Sequence, residues 1–95
     1  MVRVILNGQV IAETAAPVSL EGNYYFPPDS VKREVFESSE TQYFCPWKGN
    51  AAYWSANVGG TIVKDAAWSY PQPKDAAKNI AGYYAFDKKQ VKIEA

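Results

Sequence analysis

The sequence predicts a mainly β fold: a compact roll or barrel of about seven short strands, with one short helix near 74–80, in a single domain over residues 1–95. Short runs of β-branched and aromatic residues alternate with glycine and proline turn signals along the chain. Strands this short need closure or a second sheet to bury one face. The crossover helices of a doubly wound α/β fold are missing, which excludes that class.

The N-terminal region predicts a β-hairpin followed by an aromatic strand. Residues 2–6 and 9–13 flank Asn7-Gly8, a dipeptide that supplies the two positive-φ positions of a type I′ turn. Asn23 to Phe26 is predicted to form a short strand. Pro27-Pro28 ends that strand, because proline has no backbone N–H to donate to a ladder.

Four further strands are predicted in the middle of the chain. Their ranges are 35–38, 41–45, 51–58 and 61–64. The predicted turns between them lie at Ser39-Glu40, Lys48 to Asn50 and Gly59-Gly60. A tight reversal at the glycine pair would place Asp65 beside Tyr53.

The C-terminal third predicts the helix and two closing strands. Lys74 to Ile80 carries apolar residues at helical spacing, after a proline that suits a helix N-terminus. The alternating residues 81–86 and 90–93 then predict strands on either side of a charged turn.

Composition excludes several classes of function. Ten basic residues balance ten acidic ones, so no net charge attracts nucleic acid or an anionic membrane, and neither is predicted as a partner. One cysteine and no histidine exclude an internal disulfide, a multi-thiolate zinc site and the Ser-His and Cys-His hydrolase mechanisms. We predict no metal and no cofactor. The apolar N-terminal run is too short for a signal peptide or a membrane span, so a cytoplasmic location is expected.

One cluster has chemical content, between residues 45 and 71. It predicts a pocket for a small polar or planar molecule, with Cys45, Lys48 and Asp65 as catalytic candidates. The expected ligand contacts share either an aromatic ring or a close backbone approach: Trp47, Gly49, Tyr53, Trp68 and Tyr70. Lys48 could present an ammonium to an anionic group and lower the pKa of the Cys45 thiol. Asp65 lies in an aromatic stretch, where desolvation could raise the pKa of its carboxyl group and allow it to accept a proton.

Each candidate also has a structural interpretation. Cys45 on a strand is commonly a small buried hydrophobe, and Lys48 in a turn is commonly solvated. Asp65 could bind backbone N–H groups of its own turn. The aromatic rings could simply form the core, and these alternatives stay open at the level of sequence.

Five sequence blocks in register resemble the DUF427 family of small bacterial proteins. They are Tyr24 to Pro28, Cys45 to Gly49, Tyr53 to Ser55, Asp65 to Pro71 and Ala81-Gly82. The resemblance covers nearly the whole chain and implies a compact β-rich domain related to the Mss4-like or β-tent folds. Better-known relatives with those folds hold zinc through paired cysteines, and the single cysteine here does not provide such a site. Phe44 departs from the family pattern, in which many relatives have a small or polar residue.

The family resemblance implies no defined activity, and whether the chain is an enzyme is left open. A nucleotidyltransferase label is sometimes attached to the family, but the chain has no Gly-Ser motif followed by an Asp-x-Asp pair that would hold two metal ions. Our first hypothesis is therefore a small-molecule-binding domain in which binding does not require catalysis. The alternative is a protein-interaction or homo-oligomerising module that uses exposed aromatics near Trp47 and the segments Pro27-Pro28 and Pro71 to Pro73. A monomer or weak homodimer is expected.

Overall fold

The computed structural model describes residues 1–95, and its nine strands form three antiparallel sheets. The predicted mainly β fold is confirmed, with nine strands where about seven were expected. The strands are β1 (Val2–Leu6), β2 (Gln9–Thr14), β3 (Val18–Leu20), β4 (Asn23–Tyr25), β5 (Phe36–Cys45), β6 (Gly49–Val58), β7 (Thr61–Ser69), β8 (Tyr84–Phe86) and β9 (Lys92–Glu94).

The first sheet has the order β2-β1-β9 and contains the predicted hairpin. Asn7 and Gly8 have φ values of 51° and 75°, and Leu6 pairs with Gln9. Both turn residues are thus left-handed, as a type I′ turn requires. The C-terminal strand β9 pairs with the other side of β1, so the two ends of the chain lie in one sheet.

The second sheet is a small hairpin of β3 and β4, in which Leu20 pairs with Asn23. Its turn residues Glu21 and Gly22 have φ values of 52° and 80°. The turn is again left-handed at both positions, although the first one carries a glutamate. Strand β3 was not predicted, and this hairpin positions Glu21 for the site described below.

The third sheet has the order β5-β6-β7-β8, and two expectations about its strands were wrong. The predicted turn at Ser39-Glu40 is a bulge inside one continuous strand, because residues 39–41 lie opposite the single residue Tyr53. Strand β7 does not end at Lys64 but continues to Ser69. A second bulge places residues 64–66 opposite Ser55 and accommodates the left-handed backbone of Asp65, whose φ is 55°.

The helix expected at 74–80 is two short 3₁₀ turns within Asp75–Ile80, separated at Ala77, where φ is −122°. Pro28–Ser30 and Arg33–Val35 form further single 3₁₀ turns. The closing strands are also shorter than expected and belong to different sheets, β8 to the third sheet and β9 to the first. No helix of the chain combines the length and the apolar character needed to cross a lipid bilayer.

Strand β6 separates two hydrophobic cores. Its side chains Trp54, Ala56 and Val58 pack in or against the first core, while Ala51 and Tyr53 belong to or pack against the second. The predicted alternation along this strand is therefore confirmed. The buried members of the second core are Tyr25, Cys45, Ala51, Tyr70, Ala77, Ile80 and Ala85. This core contains Cys45 and Tyr70, and Tyr53 and Trp68 pack against it, so it includes or contacts four of the residues that the sequence predicted for the site.

Candidate functional site

The Cys45–Gly49 run forms the connection between β5 and β6. Pro46 to Lys48 make the turn, and Gly49 begins β6 with φ at 106°, a conformation that side chains rarely adopt. The backbone N–H of Lys74 donates to the carbonyl of Lys48 at 2.9 Å, and the Lys74 ammonium donates to the carbonyl of Pro46 at 2.7 Å. The following segment of the chain thus holds the turn in place.

Lys48 lies within this turn and is buried, with only 8% of its surface exposed. Its ammonium lies 5.2 Å from the ring centroid of Tyr70 and 5.4 Å from that of Trp47. It also donates a hydrogen bond to Oε1 of Glu21, at the tip of the β3–β4 hairpin, and forms an ion pair with it. The alternative of a solvated turn lysine does not hold, because two rings and a carboxylate replace water around the charge.

The electrostatics keep this ion pair charged. Burial alone would lower the pKa of Lys48, but the Glu21 carboxylate and the phenol groups of Tyr25 and Tyr70 raise it above its ordinary value. The hydrogen bond from Lys48 lowers the pKa of Glu21, against a smaller opposing contribution from burial. At neutral pH an ammonium and a carboxylate therefore face each other.

Cys45 and Tyr70 are both buried in the second core, at 7% and 2% exposure. Burial raises the pKa of Tyr70, the Lys48 charge opposes this shift, and Tyr25 and Cys45 add to it. The position of Cys45 is that of a small buried hydrophobe. Its role as a nucleophile stays a prediction.

Tyr53 and Trp68 form a half-buried aromatic pair on the second-core side of the sheet. They pair across β6 and β7, with ring centroids 6.2 Å apart and planes inclined by 35°. The indole N–H of Trp68 donates to the hydroxyl of the buried Tyr25 at 3.2 Å. The β3–β4 hairpin is thereby joined to the aromatic surface of the third sheet.

Asp65 lies where the two bulges meet. Its Oδ2 accepts a 2.6 Å hydrogen bond from the Thr41 hydroxyl of β5, and its backbone N–H donates to the Ser55 hydroxyl of β6 at 3.2 Å. Its Oδ1 is buried and has no hydrogen-bond partner. The side chain connects β7 to β5 across β6 instead of binding N–H groups of its own turn.

The carboxyl of Asp65 remains acidic despite this position. Burial raises its pKa, but the hydroxyls of Ser39 and Thr41 and the charge of Lys64 outweigh burial, so the net shift is downward. The carboxylate also lies near enough to Tyr53 to raise the pKa of that phenol, although burial contributes more. A lowered pKa makes Asp65 a weaker proton acceptor than an ordinary carboxylate.

The predicted residues thus fall into two groups. Lys48 and Cys45 lie at one end of β6, with the rings around them. Asp65 lies beside Ser55, six residues along the strand from Gly49, or about 20 Å of β-strand. The structure does not bring Asp65 to Lys48, and a catalytic role for Asp65 stays a prediction.

No cavity opens onto Lys48 in this arrangement. The largest cavity, about 680 Å³, lies on another part of the surface and is lined by Pro27, Pro28, Asp29, Val31, Arg33 and Tyr83. A second, of about 370 Å³, follows the β5–β6 pair and includes Ser39 and Thr41. The third, of about 270 Å³, lies along β2 near Lys32. Beside Lys48 lies Glu21, at the tip of the β3–β4 hairpin.

Sequence reasoning missed two residues of this site, Glu21 and Tyr25. One pattern in the sequence could have indicated the position of Glu21. Glu21 and Gly22 separate two short apolar runs, and a two-residue connection that ends in glycine is typical of a hairpin turn. That signal predicts a turn but does not predict which residue the turn contacts.

Comparison with family models identifies the family of this chain. The model of the family described as Domain of unknown function (DUF427) matches residues 1–95, the whole length. The chain belongs to the DUF427 family. A search of curated proteins finds no significant match. In this DUF427 chain no three His, Cys, Asp or Glu side chains come together in a group that could hold a metal ion.

Proposed function

We propose that this DUF427 chain binds a small planar or polar molecule beside Lys48, against the aromatic surface of the third sheet. The observation that carries the proposal is the buried ammonium of Lys48 between the rings of Trp47 and Tyr70. Cation–π contacts of this kind are a common way to hold charge in a partly dry site. The half-buried Tyr53 and Trp68 pack against the same core as Tyr70.

The surroundings of Lys48 favour a charged group at this position. The Glu21 carboxylate and the phenol groups of Tyr25 and Tyr70 outweigh the burial that opposes the charge. A site that stabilises a buried ammonium offers a binding point for a polar or anionic group of a ligand. A catalytic role for Lys48, Cys45 or Asp65 is not needed for this proposal.

A thermal-shift screen against a metabolite library tests the proposal. A ligand present at about 100 times its dissociation constant stabilises the fold by about 2.7 kcal/mol, which is roughly 4–8 °C in Tm for each kcal/mol. We expect Lys48→Met to fold and to lose this shift. Lys78→Met, a change at an exposed lysine, is the matched control and should keep it. A library without any hit, or a hit that binds Lys48→Met equally well, would refute the proposal.

A second candidate function, self-association, rests on a different observation. Tyr43 and Phe44 are more than half exposed and Trp47 is 38% exposed, all near the end of β5. Strand β5 is the edge of the third sheet, and an exposed edge with apolar neighbours is a surface for another chain. Sedimentation velocity over a concentration series should then show a dimer that Phe44→Ser abolishes. A monomer at every concentration would exclude this candidate.

A further inference from the structure

The Lys48–Glu21 ion pair is asymmetric. Only 10% of the Lys48 side chain is exposed, whereas 48% of the Glu21 side chain is. The lysine is fixed by its turn and by two rings, while the glutamate reaches it from the tip of a surface hairpin. Of the two charges, the carboxylate is therefore the one that can leave.

The hairpin that carries Glu21 is anchored at its base and lightly held at its tip. At the base, Tyr25 is buried and the neighbouring Phe26 exchanges two backbone hydrogen bonds with Tyr84, at 2.8 and 2.9 Å. Above the base, Leu20 packs against the second core, and the tip itself is held by Glu21 and by an exposed 3.0 Å hydrogen bond from the Lys88 ammonium to the carbonyl of Gly22. Two paired strands of three residues each are marginal by themselves. The tip can consequently move while the base stays in place.

The buried ammonium also has unused hydrogen-bonding capacity. An ammonium has three N–H donors. Lys48 Nζ uses one for Glu21 and also interacts with the hydroxyl of Tyr70, which leaves at least one donor free. A carboxylate or phosphate group offers more acceptor oxygens at one point than a side chain that approaches from one direction. An incoming oxyanion would therefore satisfy this charge better than Glu21 does.

We infer that Glu21 is an internal competitor for the ligand, and that the β3–β4 hairpin covers the site. The ligand that displaces it carries a carboxylate or phosphate group, which binds the Lys48 ammonium, and a planar part that contacts the neighbouring rings. This inference rests on the proposed binding function and adds the ligand's chemical class and the way in which the site opens. While Glu21 occupies the ammonium, the apparent affinity for an anion is the intrinsic affinity multiplied by the fraction of molecules that are open.

Titration with inorganic phosphate, observed by NMR at the ε-methylene group of Lys48, tests the competition directly. We expect the apparent dissociation constant to be about ten-fold lower in Glu21→Gln than in the unmodified chain, as for a site that Glu21 occupies nine-tenths of the time. Glu21→Asp, with a shorter side chain, should lie between the two and serves if the glutamine variant does not fold. The Lys88 methylene is the internal control and should not respond.

Two outcomes would overturn the inference: equal or weaker phosphate binding in both Glu21 variants, or a Lys48 signal that does not saturate. If the library screen finds a ligand that needs Lys48 but binds Glu21→Gln more weakly, Glu21 assists binding, and the inference fails while the proposed function stands. If the screen finds no ligand but phosphate binds Glu21→Gln ten-fold more tightly, the competition stands and the proposed function fails.

Discussion

Replacing Thr41 by valine tests whether Asp65 connects the strands of the third sheet. Valine has nearly the shape of threonine and suits a strand, so the change removes mainly the 2.6 Å hydrogen bond to Asp65 Oδ2. A hydrogen bond to a charged group contributes about 1.5–3 kcal/mol, and partial exposure of Asp65 reduces this to about 1–2 kcal/mol. The Ser39 hydroxyl and the charge of Lys64 would still stabilise the carboxylate, so we expect a loss within this range and no larger. We expect a fall in Tm of roughly 4–8 °C for each kcal/mol.

The same variant should show a defined dependence on pH. The folded-state pKa of Asp65 lies below its unfolded value, so its contribution to stability is present above about pH 4 and is lost as the pH falls through the folded pKa. The difference between the unmodified chain and Thr41→Val should be largest near neutral pH and shrink toward about pH 3. Urea unfolding followed by tryptophan fluorescence measures this difference at each pH.

Two comparisons decide whether the reasoning is right. Thr61→Val changes an exposed threonine at the start of β7 and should alter stability by less than about 0.5 kcal/mol. In an Asp65→Asn background, which removes the charge but keeps a residue that tolerates the left-handed backbone, Thr41→Val should cost clearly less. Equal costs in both backgrounds, or a cost that does not change with pH, would refute the connecting role of Asp65.

Three further predictions concern the other end of β6 and the second core. Cys45 should resist a thiol reagent until the chain unfolds, and stoichiometric labelling of the native protein would contradict its burial. Tyr25→Phe should destabilise the fold by about 1–2 kcal/mol in urea unfolding, because it leaves the Trp68 indole N–H unpaired. Tyr83→Phe is its control and should have a smaller effect. Gly49→Ala should cost about 1–3 kcal/mol through its positive φ alone, and a neutral result would mean that the turn adapts.

The sequence predicted those parts of the fold that depend on neighbouring residues. Asn7-Gly8 determines its hairpin locally, and alternation places Tyr53 and Trp54 on opposite faces of β6. Ser39-Glu40 was misread because a polar pair in a bulge and a polar pair in a turn look alike until the neighbouring strand fixes the register. The short helix predicted at 74–80 is present as 3₁₀ turns over Asp75–Ile80, and the sequence did not predict this type for a related reason. It is too short to be stable alone, and burial of Ala77 in the second core determines its shape.

The contacts around Lys48 and Asp65 follow the same division between local and distant parts of the chain. Trp47 is next to Lys48 in sequence, so their association was predictable. Glu21 is 27 residues from Lys48, and only the folded hairpin brings the two side chains together. Asp65 was expected at a strand end near this site, but a bulge keeps it inside β7 and directs its side chain toward Thr41. Contacts between distant parts of the chain depend on register, which single-sequence patterns do not determine.

The two charged residues that the sequence proposed for chemistry therefore need different experiments. The partner of Lys48 is a half-exposed carboxylate on a surface hairpin, whereas the partners of Asp65 are hydroxyls within the sheet itself. A substitution at Asp65 removes hydrogen bonds that connect β5, β6 and β7. A loss of binding in that variant could then result from altered structure as readily as from the loss of a contact with the ligand. Removing the charge of Lys48 leaves the backbone bonds of its turn in place. Loss of ligand binding at unchanged stability in Lys48→Met would therefore identify recognition, whereas loss of binding together with lost stability in an Asp65 variant would not.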